Sequence, residues 1–499
     1  MVGMRNRNRM LPKTDTTRFP SACGSGLLPT DPACSMHRHG PEICGISTLK
    51  RLARLFSGSD IAARTRRGSL WVMLDFGGNQ FLRLVSNLVL TRLLFPEAFG
   101  LMAVVQVFIT GFQMFSDAGV QASIIQNCRG DDKNFLDTAW TVQILRGVVL
   151  WLLSWLVAGP VAALYGVPVL AEMLPWMGLT LFLQGFTPTA VHTASRHLLL
   201  GRVTTINLCA FSFQILAACI LAWILNSVWA LVIAANIGVL ATLVAQWVYL
   251  PAARNRLRLE REALSSLFHF GKYIFLGSAA GFVVAQGDRA ILGLYIPMSE
   301  LGVFHIAFSM AVIPRNFASS LQNKVVFPLY RLRPFSESAA NRTGIFRARR
   351  IQAGTMVLAS LFLAAIGPWL IELLYDDRYL AAGSMITVFA LSLVPYITLS
   401  TTGPMLLAMG DSRRALMAQM LTAVLQTGLL FVGIAAFGVV GAILAPGLAA
   451  IAAYPLRASY ARRYDAWDPL QDVGMTVLGL LGAAAICGWH WDEVIALLP

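Results

Sequence analysis

Residues 283–296 read VVAQGDRAILGLYI, and this stretch decides the fold. Asp288 and Arg289 stand side by side in the middle of a run that is otherwise almost entirely apolar. The role of such a pair depends on the solvent around the run. If that solvent is lipid, each charge costs roughly 2.5 to 3.5 kcal/mol at a helix centre, on the scales derived from membrane insertion.

The composition of the chain identifies the solvent as a membrane. The 499 residues are 57% hydrophobic and 13% charged, with a mean hydropathy of +0.65. A soluble domain carries about 25% charged residues. Apolar runs near the ~20 residues that cross a bilayer recur along the chain, and they lack the alternation of a transmembrane barrel. The sequence therefore predicts an all-α polytopic membrane protein.

The apolar runs divide the chain into two sets of six, followed by a short thirteenth run. The predicted spans are 69–93, 99–122, 136–158, 167–189, 203–225, 228–250, 270–296, 301–324, 351–374, 381–408, 415–436, 438–456 and 471–488. We therefore predict two pseudo-symmetric six-helix lobes with 12 to 13 transmembrane helices. The predicted regions are a disordered basic cytoplasmic tail (1–68), an N-terminal lobe (69–250), a cytoplasmic linker (251–269), a C-terminal lobe (270–456) and a C-terminal segment with the thirteenth helix (457–499).

Basic residues collect in alternate connections between these spans, and such connections are cytoplasmic by the positive-inside rule. The set includes Arg254, Arg256, Arg258 and Arg261, then Arg342, Arg347, Arg349 and Arg350, and finally Arg457, Arg462 and Arg463. The Arg-rich N-terminal tail falls on the same side, so we predict a cytoplasmic N-terminus. This pattern accounts for the net charge of +14, and we expect no nucleic-acid partner.

Motifs for metal, cofactor or catalytic chemistry do not stand out. The seven cysteines are scattered without a CxxC pair, so we expect no disulfide framework, no metal site and no cofactor. Walker A, HExxH and GxSxG patterns are absent, and the loops between spans are too short for a nucleotide-sugar domain. A membrane glycosyltransferase or polymerase is therefore disfavoured, and we expect no enzyme.

Two stretches about 200 residues apart echo each other. LTRLLFPEAFGLMAVV (90–105) is similar to LGLYIPMSELGVFHIA (292–307), with Pro96 matching Pro297 and Gly100 matching Gly302. A second pair is TPTAVHTASRHLLLGR (187–202) and TGPMLLAMGDSRR (402–414). Internal duplication in a polytopic protein is typical of secondary transporters, whose substrate site lies between the repeats near the midplane.

Charged residues inside the predicted first, seventh and eighth spans are the candidate site. We predict that Arg83, Arg289 and Arg315 form an anion site, because a guanidinium donates two parallel hydrogen bonds to phosphate oxygens. The ion-coupling candidates are Asp75 and Asp288, and the polar cavity residues are Asn79 and Gln286. The alternative is that these charges form structural ion pairs between helices, which is the stronger alternative for Arg146 and Glu172.

Helix geometry constrains how these charges combine. Neighbours on a helix point about 100° apart, so Asp288 and Arg289 are poorly placed to neutralise each other. Asp75 and Arg83 lie within roughly 80° of each other and about 12 Å apart in depth, which suits one wall of a cavity.

Residues 68–126 resemble the opening of bacterial polysaccharide-biosynthesis membrane proteins, the oligosaccharide flippases of the multidrug/oligosaccharidyl-lipid/polysaccharide exporter superfamily. The matching features are the turn RLLFPEAFG (92–100) and the span exit DAGVQASIIQ (117–126). The segment GDRAILGLYIPMSELGVFHIAFSM (287–310) resembles the seventh span of the same family. The long basic tail departs from the short N-terminus that is usual in the family.

The resemblance implies two lobes around a central cavity in the bacterial inner membrane. It implies alternating-access flipping of undecaprenyl-diphosphate-linked oligosaccharides for exopolysaccharide, capsule or O-antigen assembly, with a polysaccharide polymerase and chain-length proteins as partners. Two alternatives remain, a multidrug extruder of the same superfamily and a peptidoglycan-precursor flippase. The in-span charges are at least as basic as acidic, which favours an anionic substrate over a cationic drug.

Overall fold

Long helices build the part of the chain that the computed structural model describes, which comprises residues 61–116, 120–127, 129–197, 200–250, 255–322, 326, 330 and 338–497. In the N-terminal half the helices are α1 Ile61–Leu93, α2 Pro96–Phe115, α3 Val120–Gln126, α4 Lys133–Tyr165, α5 Leu170–Gly185, α6 Ala190–Arg196, α7 Leu200–Leu225 and α8 Trp229–Tyr249. In the C-terminal half they are α9 Arg261–Leu292, α10 Met298–Ala311, α11 Ile313–Leu321, α12 Ala339–Leu374, α13 Ala381–Leu399, α14 Thr402–Ala408, α15 Ser412–Arg463, α16 Thr476–Trp489 and α17 Trp491–Ile495.

The prediction of an all-α polytopic membrane protein is confirmed. Among the described residues, eight helices are long and apolar enough to cross a membrane, or nine if α10 and α11, which meet at a 44° bend, count as one span. The thirteenth predicted span is one of the eight, because a π-helical turn, Leu470–Met475, extends α16. A helix lies over each of the thirteen predicted spans. The count of 12 to 13 crossings and the division into two lobes stay predictions.

The outer surface of the helices is apolar, as a lipid-facing surface requires. On α4, Leu145, Leu152 and Leu156 lie seven and four residues apart, on one face of the helix. They are 61%, 59% and 74% exposed. A soluble protein rarely exposes such a contiguous apolar stripe, whereas a membrane helix presents it to lipid.

Each half has its own packing arrangement. In the N-terminal half, α1 packs against α7, α4 against α5, and α8 against both α5 and α7. In the C-terminal half, α13 is central and contacts α10, α12, α15 and α16. The 52-residue α15 contains Gly438 with φ of 55° and ψ of −131°, a left-handed conformation that glycine adopts without steric cost. That break separates the predicted eleventh and twelfth spans.

Described helices extend into two of the predicted regions. Residues 61–68, at the end of the predicted tail, are part of α1, and the segment IAARTRR consists mostly of good helix formers. In the predicted linker, α9 starts at Arg261 after an extended segment at 255–260. The boundaries of the predicted regions stay predictions. Most of the predicted tail, residues 1–60, lies outside the described residues, as do residues 251–254 of the linker.

The matched glycines of the two repeats meet where the halves cross. A Cβ atom at Gly100 would lie 2.8 Å from the carbonyl carbon of Met298 and 3.1 Å from the backbone nitrogen of Gly302. Reciprocally, a Cβ atom at Gly302 would lie 2.7 Å from the carbonyl carbon of Pro96 and 3.1 Å from the nitrogen of Gly100. A reciprocal contact of equivalent residues is what a two-fold relation between duplicated units produces. Here α2 and α10 approach backbone to backbone.

Candidate functional site

Arg83 lies on the face of α1 that is turned toward the other half of the chain. Seven residues before it, Phe76 contacts the Phe317 ring of α11, with the ring centroids 5.5 Å apart. Four residues after it, the Asn87 side chain donates to Ser309 Oγ of α10 at 3.4 Å. Residues spaced by seven and four share one helix face, so Arg83 points into the same space between the halves.

The opposite face of α1 is apolar and exposed. Its large side chains are Leu74, Phe81, Val85 and Val89. These residues lie about 140° to 220° around the helix from Phe76, whereas Arg83 lies about 20° from it. Arg83 is itself exposed, and the residues that share its face, Phe76 and Asn87, contact α11 and α10.

Asp288 and Arg289 are both buried near the C-terminal end of α9. Arg289 Nη2 donates to the Ala285 carbonyl at 3.0 Å, and the guanidinium lies over the Phe308 ring, 4.4 Å from its centroid. The expectation that neighbouring positions leave these two charges apart needs correction. The long Arg289 side chain brings Nε to 3.8 Å from Asp288 Oδ1, so they form a loose ion pair beyond hydrogen-bond length.

Arg315 joins Arg289 at the same aromatic ring. Its guanidinium lies 5.5 Å from the centroid of Phe308 and 5.1 Å from that of Tyr396. Among the described residues no hydrogen bond or ion pair to Arg315 occurs, so these two ring faces are its contacts. The structure therefore brings two of the three predicted arginines together around Phe308.

His305 belongs to this cluster, although no sequence pattern singles it out. It lies on α10 about one turn before Phe308 and Ser309, and it is within electrostatic range of both Arg83 and Arg289. Its Nδ1 and the Nε of Arg289 are buried without a hydrogen-bond partner among the described residues. Native structures leave few such groups unmet, so these two atoms are candidates for contact with a ligand.

The other predicted residues are placed less centrally. Asn79 donates to both the carbonyl and the carboxylate of Asp75, at 2.7 and 3.1 Å, so these two residues interact within α1. Asp75 is half-buried and lies about 80° around the helix from Arg83. Gln286 is half-buried, and its Oε1 has no partner among the described residues.

Side chains from both halves meet near the ends of α1, α4 and α9. The Tyr165 hydroxyl donates to the Ala290 carbonyl at 2.8 Å. The Tyr379 hydroxyl donates to the Leu94 carbonyl at 3.3 Å, and the Arg378 guanidinium covers the Phe95 ring at 5.0 Å. These contacts and the Gly100–Gly302 crossing join the two halves near these helix ends.

Two arginines assigned to loops are in fact buried inside helices. Arg349 and Arg457 were predicted to lie in cytoplasmic connections, but they lie within α12 and α15 and are 3% and 9% exposed. The predicted spans began at 351 and ended at 456, because an apolar window stops at a charge while the helix continues. Both residues line a polar cavity of about 370 Å³ in the C-terminal half, together with Arg315.

The N-terminal half holds a second polar cavity, of about 410 Å³. Its lining includes Gln113, Gln143, Arg146, Gln184 and His192. Arg146 donates to Ser116 Oγ at 2.8 Å and to the Gln113 carbonyl at 3.0 Å, which ties α4 to the end of α2. This arrangement fits the structural role that was the stronger alternative for Arg146.

Comparison with known families decides the membership of the chain. The profile of the family described as "Polysaccharide biosynthesis protein" matches residues 89–384, more than half of the sequence. The chain belongs to this family. The resemblance seen in the first two spans and in the seventh is thereby confirmed. The profile of a second family, "Lipid II flippase MurJ", matches residues 290–497.

Two curated relatives of this polysaccharide biosynthesis protein are similar over much of their length. "Succinoglycan biosynthesis transport protein ExoT" of Rhizobium meliloti is 24% identical over 364 residues, which are 72% of each chain. "Teichuronic acid biosynthesis protein TuaB" of Bacillus subtilis is 21% identical over 306 residues, 60% of this chain and 62% of the relative.

Solved structures show the same fold. The lipid II flippase MurJ in an inward closed conformation has a TM-score of 0.64 at 11% identity, covering 86% of this chain and 96% of MurJ. A multidrug resistance MATE family transporter in an inward-facing conformation has a TM-score of 0.56 at 14% identity, covering 84% and 99% of the two chains. The fold is therefore that of MurJ and MATE transporters, and these structural neighbours are transporters and flippases.

Proposed function

We propose that this polysaccharide biosynthesis protein flips polyprenyl-diphosphate-linked oligosaccharides across the bacterial inner membrane by alternating access. The diphosphate would bind between the halves at Arg83, Arg289 and Arg315, with His305 as a fourth contact. The product would feed exopolysaccharide, capsule or O-antigen assembly on the outer side. The N-terminus and the Arg-rich loops would face the cytoplasm, as the positive-inside rule predicts.

The observation that carries this proposal is the direction of Arg83. A lone arginine in a membrane helix is expensive unless it pairs or faces water. Arg83 shares a face with Phe76 and Asn87, both of which contact the opposite half. Its charge is therefore directed into the space that a substrate would occupy.

Electrostatics favour an anion in that space. The proposed site contains three guanidinium groups and one buried carboxylate, that of Asp288, which lies 3.8 Å from Arg289. The positive charges therefore outnumber the negative charge. A diphosphate would supply the missing negative charge and accept from the unmet Nε donor of Arg289. A cationic drug would instead meet net positive charge, so the multidrug alternative is disfavoured by the same residues.

The two acidic residues, Asp288 and Asp75, are our candidates for coupling transport to an ion gradient. Asp288 is buried beside Arg289, so a cation or proton that neutralised it would loosen the pair and change the charge presented to the diphosphate. Asp75 is held by Asn79 in α1 and is the second candidate. If Asp288 couples transport to the ion, Asp288→Asn should make flipping independent of the ion gradient.

The test is flipping by purified protein in liposomes. The probe is undecaprenyl-diphosphate carrying a fluorescent neutral disaccharide, and an impermeant quencher reports the leaflet. We expect Arg83→Gln and Arg289→Gln each to slow flipping about 10- to 100-fold, because a hydrogen bond to a charged group contributes roughly 1.5 to 3 kcal/mol. The matched control is Arg463→Gln, an exposed arginine in the last turn of α15. Unchanged flipping in both central variants would contradict the proposal.

A peptidoglycan-precursor flippase is the second candidate, favoured by the MurJ profile over residues 290–497. It would use the same diphosphate site, so the distinction lies in the sugar. Lipid II and the neutral disaccharide lipid are therefore assayed side by side. Faster transport of lipid II would select the second candidate, and no transport of either lipid with export of a cationic dye would select the multidrug alternative.

A further inference from the structure

The polar cavity of the C-terminal half is basic, and it shares Arg315 with the central cluster of Arg83, Arg289, Arg315 and His305. Its charged and amide lining residues are Arg315, Arg349, Arg457, Asn316, Gln322, Gln352 and Gln419. Among the described residues, none that line it is Asp or Glu. The volume of about 370 Å³ lies in the range of about 300 to 1,000 Å³ that small-molecule sites occupy.

Two of the three arginines are not neutralised by an acid. Arg349 Nη2 lies 3.7 Å from Asp472 Oδ1 and is therefore compensated. Arg457 donates to the Leu399 carbonyl at 3.2 Å and to Thr422 Oγ1 at 2.7 Å, both of which are uncharged. In the described part of the chain, neither Arg457 nor Arg315 forms an ion pair.

The inward direction of Arg457 is costly and calls for an explanation. It lies six residues, or about 9 Å, before the end of α15, from where an arginine can extend to the headgroup region. Its side chain is instead 9% exposed and turned toward the cavity. A buried charge with no opposite charge beside it is unfavourable even when it is hydrogen-bonded, so this cavity favours an anion that enters it.

The other lining groups suit a sugar. Amides donate and accept at once, as sugar hydroxyls do, and Ser319, Ser400 and Thr401 add hydroxyl groups. The Gln352 amide is oriented by its bond to the Ala318 carbonyl at 2.7 Å, which leaves its oxygen available. The lining therefore combines positive charge with groups for hydroxyl recognition.

We propose that this cavity binds a carboxylate-bearing sugar, so that the repeat unit this protein carries is acidic. The inference rests on the proposed function, because Arg315 borders both sites. It stacks on Phe308 beside Arg289 and on Tyr396 inside the cavity. A diphosphate held at the central cluster would therefore direct its attached sugars past Arg315 toward Arg457.

The experiment measures binding of two undecaprenyl-diphosphate disaccharides to the purified full chain in detergent. One disaccharide is neutral, and the other differs only by a terminal glucuronic acid. We expect the wild-type chain to bind the acidic lipid at least tenfold more tightly, and Arg457→Gln to reduce that preference below about twofold without weakening the neutral lipid. Arg457→Lys keeps the charge and should retain most of the preference.

A second variant avoids the structural hydrogen bonds of Arg457. Gln419→Glu would place a negative charge in the cavity and should weaken binding of the acidic lipid alone. Arg463→Gln, which removes an exposed charge from the same helix, should change neither affinity. Free glucuronate should compete with the acidic lipid for the wild-type chain but not for Arg457→Gln, whereas pyrophosphate should compete with both lipids in both chains.

The outcomes separate the two proposals. Equal wild-type affinity for both lipids, or an equal loss of both in Arg457→Gln, overturns the acidic-sugar inference and leaves the diphosphate site untouched. Failure of the wild-type chain to bind either lipid overturns the proposed function itself. Competition by pyrophosphate that Arg457→Gln abolishes would assign the cavity to the diphosphate and would also overturn the inference.

Discussion

Substitution of Gly100 by alanine tests the crossing of the two repeats. The added Cβ would lie 2.8 Å from the Met298 carbonyl carbon and closer still to its oxygen, whereas ordinary contacts begin at 3.4 Å. Both partners are backbone atoms, which cannot rotate away. The helices must therefore separate by more than the roughly 0.6 Å that the carbon contact alone requires, because the oxygen is nearer. Overpacking of this kind costs about 1 to 3 kcal/mol.

The measurement is the melting temperature of the purified protein, followed by the fluorescence of a thiol-independent dye. We expect Gly100→Ala and Gly302→Ala each to lower the melting temperature. The double variant should lower it by less than the sum of the two single effects, because one separation of the helices relieves both clashes. Gly77→Ala is the control, since a Cβ there meets nothing within 4 Å and alanine is the better helix former. A Gly100→Ala protein as stable as Gly77→Ala would refute the close crossing.

Two further predictions concern contacts outside the cluster. Tyr165→Phe removes the hydrogen bond to the Ala290 carbonyl and should destabilise the protein by about 0.5 to 1.5 kcal/mol in the same melting assay. An unchanged melting temperature would show that the two halves do not meet at this point. The pKa of the Asp132 carboxyl is held below its usual 3.8 by the hydrogen bond from Arg129 and by a backbone N–H. Its stabilising effect is therefore complete above pH 4 and is lost as the pH falls through the lowered pKa. Asp132→Asn should melt lower than wild type at pH 7 and by a smaller difference at pH 3, and an equal difference at both pH values would contradict this.

Arginines inside an apolar run are easier to recognise as site candidates from the sequence than arginines at the end of such a run. Arg83, Arg289 and Arg315 could be selected as candidates from the sequence, because a charge in an apolar run has few reasons to be there. The burial of Arg349 and Arg457 could not be predicted, because hydropathy shows where lipid contact ends and not where a helix ends. Their helices continue well past the apolar window.

Contacts between distant segments account for the remaining differences. The duplication predicted that Gly100 and Gly302 are equivalent, but only the fold brings them together. His305 sits in an apolar stretch, and nothing local indicates that Arg83 and Arg289 lie near it. The loose pairing of Asp288 with Arg289 depends on the rotamer of a long side chain, which backbone geometry does not fix.

Labelling of single cysteines tests most directly whether Arg83 lines a substrate cavity. In a chain whose seven native cysteines are replaced by serine, Arg83→Cys and Phe81→Cys place thiols on opposite faces of α1. We expect a membrane-impermeant maleimide to react with the first thiol and not the second, and undecaprenyl-diphosphate-linked disaccharide to slow that reaction. No reaction at position 83, or a rate that the lipid leaves unchanged, would show that Arg83 does not face the substrate.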